Sequence, residues 1–351
     1  MTREDVEALA IGGSILGGGG GGWSETGRKE GMLAIEIGEV ELWDADEAPD
    51  DWEVVTCAAL GAPTQRGSTK PSHFIRSVQL LMEVGVEFDG LIAAENGGHN
   101  SFGGWIPAAA LSLPVVDTPG DGRAHPTALM GSMGLHRQDY DSVKSGCTEG
   151  SDVVAWGSLE TTSNLIRAQA RDMKALIAMA RDPVPVSYSR RHGAAGAIQL
   201  AIDLGNAYID AGTDDPPSAV EAAVKFLGGR LVCAGEIRRR SIGAQGGFDV
   251  GSMEIEGEGG TYELTFVNEY MTLEKDGRRL ATFPDLMTTF NGEGVPSTSA
   301  SLQEGESVFL ALVDKEKIPV GDGNRYPENY KGLEEALNKP MVKYLGDYLY
   351  T

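Results

Sequence analysis

The feature that most constrains the fold is a change of pattern at Gly228-Gly229. Before it, apolar strand-like runs alternate with stretches of helical spacing. After it, the runs become short and are separated by glycine-rich or charged turns. Alternation of the first kind favours a layered α/β domain with a largely parallel sheet. Short runs with turn signals favour a β-rich barrel or sandwich. The expected fold class is therefore α/β, with an α/β domain over residues 1–228 and a β-rich domain with a C-terminal tail over 229–351. At 351 residues the chain is long enough for two such domains.

Within the first part, Thr2 and Asp5 form an imperfect capping box ahead of a helix that carries Val6, Leu9 and Ala10. That helix meets six successive glycines, Gly17 to Gly22, where no regular element should persist. Strands are expected at Glu53 to Leu60, Gly90 to Ala94, Leu113 to Val116, Asp152 to Trp156 and Val184 to Tyr188. Helices are expected at His73 to Val84, Trp105 to Leu111, Thr161 to Ala180, Ala194 to Ile209 and Ser218 to Leu227, the last two separated by Asp214-Asp215-Pro216-Pro217. In the second part, strands are expected at Arg230 to Ile237, Ser252 to Glu256, Tyr262 to Asn268, Met271 to Glu274, Arg279 to Phe283 and Ser307 to Val313.

A net charge of −23, from 29 basic and 52 acidic residues, repels phosphate backbones and anionic membranes. Nucleic acid and membrane are accordingly not expected partners. Cys57, Cys147 and Cys233 form no CxxC pair, which fits free thiols in a reducing compartment. No apolar run reaches membrane-spanning length and the N-terminus lacks a signal pattern, so a cytoplasmic protein is expected.

The glycine run matches a dinucleotide fingerprint trivially, but a helix precedes it where a strand is needed, and it ends in Gly22-Trp23-Ser24 without the lysine of an ATP loop. A loop of close backbone approach lining a pocket fits better. Glu95-Asn96-Gly97-Gly98-His99-Asn100 follows one apolar strand, and Asp117 to Pro126 follows the next. Ligands of open α/β sheets gather at such strand ends. Glu95, His99, Asp117, Asp121, Arg123 and His125 together offer a candidate His/carboxylate metal site. The alternatives are a helix cap at Asn100 or Ser101 and a loop in which Arg123 pairs with Asp117 or Asp121. Ser189 to Gly193 reads either as a basic helix start that binds an anion or as a surface salt bridge. Asn268-Glu269 and Pro284-Asp285 read as solvated turns. No GxSxG elbow and no HExxH helix is present.

Taken together, the motifs resemble those of the S-methyl-thiohydantoin desulfurase-like proteins. The resemblance rests on Ile15-Leu16-Gly17 with the glycine run, Gly61-Ala62-Pro63-Thr64, Glu95-Asn96-Gly97-Gly98 with Asn100, and Pro114-Val115-Val116-Asp117 with Gly122-Arg123-Ala124 and Pro126. It continues through Gly247-Phe248, Gly251, Asn268-Glu269 and Pro284-Asp285-Leu286. It implies an α/β domain joined to a β-rich one, and zinc-assisted hydrolysis that releases a thiol from an S-methylated thiohydantoin ring. On that basis His99, Asp117 and His125 are the expected ligands of zinc or another divalent metal. Glu95 or Asp121 would act as acid/base, Arg123 would orient an anionic group, and Asn100 would donate to a ring carbonyl. The other expectation is a non-catalytic small-molecule-binding subunit assisting a hydantoinase. The expected partner is a small-molecule substrate, with a homo-oligomer left open.

Overall fold

The computed structural model describes residues 1–61, 69–212 and 215–350. The Ala62-Pro63-Thr64 part of one motif, and Asp214 between two of the expected helices, lie outside these residues. Helices are α1 (Arg3–Leu16), α2 (Ser24–Ile37), α3 (Pro71–Glu83), α4 (Trp105–Leu111), α5 (Leu159–Met173), α6 (Val186–His192), α7 (Ala197–Asp210), α8 (Pro216–Phe226) and α9 (Lys331–Leu337). The strands of the first sheet are β1 (Leu42–Trp43), β2 (Glu53–Leu60), β3 (Gly90–Ala93), β4 (Val115–Val116), β5 (Ser142–Thr148), β6 (Ser151–Gly157) and β7 (Ile177–Pro185). Those of the second are β8 (Arg230–Gln245), β9 (Phe248–Gly257), β10 (Gly260–Val267), β11 (Glu269–Lys275), β12 (Arg278–Thr282), β13 (Leu286–Asn291), β14 (Pro296–Ser297) and β15 (Ser307–Val313). The chain is thus an α/β layered part joined to a β-rich part.

The first sheet runs in the order β1-β4-β3-β2-β7-β5-β6. Its β1-β4-β3-β2 half is parallel, and β2-β7, β7-β5 and β5-β6 are antiparallel. This corrects the expectation of a largely parallel sheet. Two segments account for the difference. Ile177–Pro185, whose first half was expected to continue a helix, is a buried strand. Its alanines favour a helix by propensity, and pairing on both sides overrides them in favour of the strand. Ser142–Thr148 carries no apolar alternation, yet every residue in it is buried. Several of its polar groups find partners inside; Ser145 Oγ, for example, donates to Ser77 O at 2.7 Å.

The expected strand Val184 to Tyr188 is mostly α6, so Arg190, Arg191 and His192 sit in the last turn of a helix. Basic residues there complement the helix dipole, and Arg190 donates to Ala45 O at 2.6 Å and Ala48 O at 2.9 Å. The structural alternative therefore holds for this segment. The second sheet, β12-β11-β10-β9-β8-β15-β13-β14, is antiparallel throughout. It curls over one core containing Ile255, Leu264, Phe266, Tyr270, Leu273 and Leu310. Tyr270 in β11 reaches Thr289 in β13 through a 2.8 Å hydroxyl contact.

Helix α1 joins the two parts. Thr2 caps it in a complete capping box with Asp5, and Val6, Leu9, Ile15 and Leu16 are buried. Because α1 is a core helix, its C-terminal end delivers the glycine run into the interior. There the Tyr270 and Ser299 N–H groups of the second part donate to Gly18 O and Gly19 O, each at 2.8 Å. From the first part, His99 N–H donates to Gly21 O at 2.9 Å and Asn100 N–H at 3.1 Å.

Candidate active site

A cavity of about 270 Å³ opens where these pieces meet. Its walls are the glycine run with the start of α2, the ends of β2 and β3, the 125–128 loop, β7, α5 and the β10–β11 turn. Nothing larger than a hydrogen fits at key points of the glycine wall. A Cβ on Gly20 would stand 2.0 Å from Glu269 Oε1. Gly21 combines φ of +73° with an approach that would put a Cβ 2.4 Å from the Gly97 Cα.

Glu95, just past β3, is buried at the cavity wall. Its Oε1 accepts from Asn100 Nδ2 at 2.7 Å, and its Oε2 accepts from the His125 N–H at 3.0 Å. Asn100 is itself fixed, since its Oδ1 accepts from Ala59 N–H in β2 at 3.0 Å. Burial pushes the Glu95 carboxyl up to about 7, against these two hydrogen bonds. His125 Nε2 lies 3.2 Å from Glu95 Oε2, yet neither ring nitrogen meets hydrogen-bonding geometry. Burial, with Arg181 nearby, lowers His125 to about 3, so its ring is neutral. His99 Nε2 contacts Glu30 Oε2 at 2.8 Å on the adjacent wall.

The second part contributes Asn268 and Glu269, which sequence reasoning placed in a solvated turn. Glu269 is buried and lines the cavity, and its Oε2 has no partner among the described residues. Burial and the neighbouring Glu95 raise its carboxyl well above the usual range. Asn268 adopts φ of +57°, and its Oδ1 accepts from Asp249 N–H at 2.9 Å. Those two features set the turn that aims Glu269 inward. The signal available in sequence was the pairing of an asparagine, tolerant of positive φ, with a carboxylate between two apolar strands. Glu30, Arg167 and Arg181 also line the cavity, and none was singled out from sequence.

Glu95, His99, Asn100 and His125 therefore meet at the cavity, whereas Asp117, Asp121 and Arg123 do not line it. Asp117 is the cap of α7 in all but position, accepting from Ile198 N–H at 2.8 Å and Gln199 N–H at 2.9 Å. Asp121 accepts from Gly122 N–H, Gly321 N–H and Asn324 Nδ2 at 2.8, 3.1 and 2.6 Å. Burial raises both aspartates to about 6. Arg123 points to the second part. Its Nη1 donates to Pro284 O at 3.2 Å and Asp285 O at 2.5 Å, and its guanidinium lies 4.4 Å from the Phe283 ring. It fastens the two parts together. His99, Asp117 and His125 do not converge, and no group of three His, Cys, Asp or Glu side chains among the described residues is placed to hold a metal ion. The donor set does not fit zinc, because Asp117 is committed to helix α7 and each histidine faces a different glutamate. The three cysteines are buried, and burial pushes the Cys57 thiol up to about 12 and Cys233 to about 11, so none is a poised nucleophile.

Two family models match end to end: the S-Me-THD-like N-terminal domain over residues 4–155 and the S-Me-THD-like C-terminal domain over 158–317. The chain belongs to the S-Me-THD-like family. This agrees with the thiohydantoin desulfurase resemblance carried by the sequence motifs. The seam between the two models passes through the first sheet, which takes β7 from the C-terminal one. A crystal structure of a protein from Chromobacterium violaceum matches with a TM-score of 0.71 and 18% identity, over 100% of this chain and 98% of that one. At that identity the likeness is one of fold. No curated protein matches the chain. Among the described residues, no helix is long and apolar enough to cross a membrane.

Proposed function

We propose that the chain is a hydrolase of a small S-alkylated thiohydantoin-like ring, and that Glu95 moves the proton. The observation that carries this reading is the pair of buried carboxyl groups, Glu95 and Glu269, on the wall of one cavity. Their environments separate their acidities: burial brings Glu95 to about 7, while burial and the neighbouring Glu95 raise Glu269 well above the usual carboxylate range. A base and an acid set apart in this way are what hydrolysis near neutral pH requires. The family's name supplies the substrate class.

In this reading the Glu95 carboxylate takes a proton from water as the water oxygen bonds to the ring carbon bearing sulfur. The tetrahedral intermediate collapses with cleavage of the carbon–sulfur bond. The thiolate takes the proton back from Glu95 and leaves as a thiol, the added hydroxyl passes its proton to the ring nitrogen, and the ring keeps a carbonyl oxygen. Glu269 donates a hydrogen bond to the ring as charge builds on it. Asn100 and the His125 N–H hold the Glu95 carboxylate in one orientation, which restricts it to one approach. The steps use carboxyl groups alone.

The test is release of methanethiol from S-methyl-thiohydantoin by the purified full chain, with metal content measured on the same sample. Glu95→Gln keeps the side-chain shape, and a fall of about 10²- to 10⁴-fold is expected. Thiol release by Glu95→Gln at the native rate overturns the assignment. Binding of the ring without turnover by the native chain would favour the non-catalytic subunit. Activity that tracks a stoichiometric metal and vanishes on chelation would replace the carboxylate mechanism.

A further inference from the structure

The first sheet ends on a strand with one side open. β6 is its last strand, and among the described residues it pairs with β5 alone. The pairing is regular, one residue against one from Ser142↔Gly157 to Thr148↔Ser151, with no bulge. Edge strands are ordinarily protected by a lysine, a proline, a bulge or a very short length. β6 has none of these over its seven residues. Its single charged residue, Asp152, is occupied by Arg76 Nε of α3 at 2.9 Å. An edge of this kind is a template for another strand.

The flank of the edge is apolar. Trp156 in β6 is 54% exposed, and Leu165 and Met173 on α5 are 49% and 40% exposed. Leu165, Ala168 and Met173 have the i, i+3, i+8 spacing of one helix face. With Trp156 they line one groove along β6 and α5, in which Asp172 is the only charged residue. Across the chain 23% of residues are charged, with a net charge of −23 that drives copies apart. The β6 strip is spared that charge, so it is a place where two copies can meet.

The register of β6 matches a second copy of itself. Thr148 and Ser151 flank a two-residue turn and so form a hydrogen-bonded pair. The alternation of an antiparallel ladder then turns the N–H and C=O groups of Asp152, Val154 and Trp156 away from β5. A two-fold axis through Val154 sets these three positions against themselves. Val154 meets Val154, and Asp152 meets Trp156 of the second copy. Every outward group then has a partner, and the one carboxylate faces an indole. An axis through Asp152 would instead oppose two carboxylates.

We propose that β6 is a dimer interface, at which two copies of this chain join their first sheets edge to edge about an axis through Val154. The α5 helices lie side by side across the same axis and cover the apolar strip. The contact is isologous, so it closes at two copies and does not propagate into a fibre. It stands independently of the reaction at Glu95.

The experiment is sedimentation equilibrium of the full chain from about 1 to 100 µM. A species of twice the 37.2 kDa chain mass is expected. Trp156→Glu sets a carboxylate opposite Asp152 of the second copy and should weaken the dimer at least about tenfold. Leu165→Glu should weaken it comparably from the flanking helix. Both side chains are about half exposed, so each variant should keep the native thermal midpoint, measured alongside. Because both copies are anionic, raising NaCl from about 0.05 to 0.5 M should tighten the dimer. A chain that stays monomeric throughout overturns the interface, whatever else the edge binds. So does a folded Trp156→Glu or Leu165→Glu that dimerises with native affinity. Should one variant fail to fold, the other decides.

Discussion

Glu95 and Asp117 begin from the same position in the fold, each a carboxylate just past a neighbouring parallel strand, β3 or β4, and they end in different service. Glu95 is held by one amide and one backbone N–H and turns the rest of its surface to the cavity. Asp117 is consumed by the first N–H groups of α7, a helix whose own N-cap position is Gly196 and which has no capping side chain there. A helix start left bare recruits the nearest carboxylate. Location at a strand end nominates a residue for chemistry, but the destination of its hydrogen bonds decides whether it is free to do any.

The sharpest test of that contrast is pH. With Glu95 as base at about 7, kcat/KM should approach a tenfold fall per pH unit below that point, or roughly 50-fold from pH 7 to 5. Asp117 and His125, at about 6 and about 3, should add no second inflection, because neither acts on the substrate. The sign for stability is opposite to the usual carboxylate case. Glu95 and Asp117 have raised values in the folded chain, so the unfolded chain loses its protons first. Stability should therefore decline as pH rises from about 4 to about 7, measurable by urea midpoints across that range.

A smaller effect is expected from Gly20→Ala. The new methyl would collide with the Glu269 carboxyl, and a loss of about tenfold in turnover is expected, together with roughly 1–3 kcal/mol of stability. Unchanged turnover in a folded variant would mean that Glu269 plays no part at the reacting ring. Smallest of all should be Asp117→Ala, which removes a helix cap at a cost of about 1–2 kcal/mol. Turnover at a temperature well below its melting point should stay within a few-fold of native. If Asp117→Ala instead cuts turnover as deeply as Glu95→Gln, the distinction between the two loops collapses.

The sequence pattern carried the parts of the fold that repeat a simple period. Glu53–Leu60, Trp105–Leu111 and Ser307–Val313 have the bounds their apolar spacing predicts. It could not carry β5, because Ser142, Lys144 and Ser145 look solvated until Asp182 and Ser77 are seen beside them. The same limit governs the site. Glu95, His99, Asn100 and His125 were legible because two neighbouring strand ends gather them in two short stretches. Arg167 and Arg181 come from the successive elements α5 and β7, and only the meeting of the two parts brings Glu269 to the same cavity. Arg181-Asp182 did leave a mark, a charged pair inside the apolar run Ile177 to Val184, and such pairs are seldom buried without a partner.

The hydrogen bonds that grip the glycine run also set a timetable for synthesis. Gly18 leaves the ribosome about 250 residues before Tyr270, whose N–H completes its carbonyl. At about 5–20 residues per second the wait is roughly 10–50 s. Throughout that interval the apolar flank of α1 has only the nascent first sheet and its helices for cover, and the carbonyls of Gly18 and Gly19 wait for partners that the second part has yet to bring.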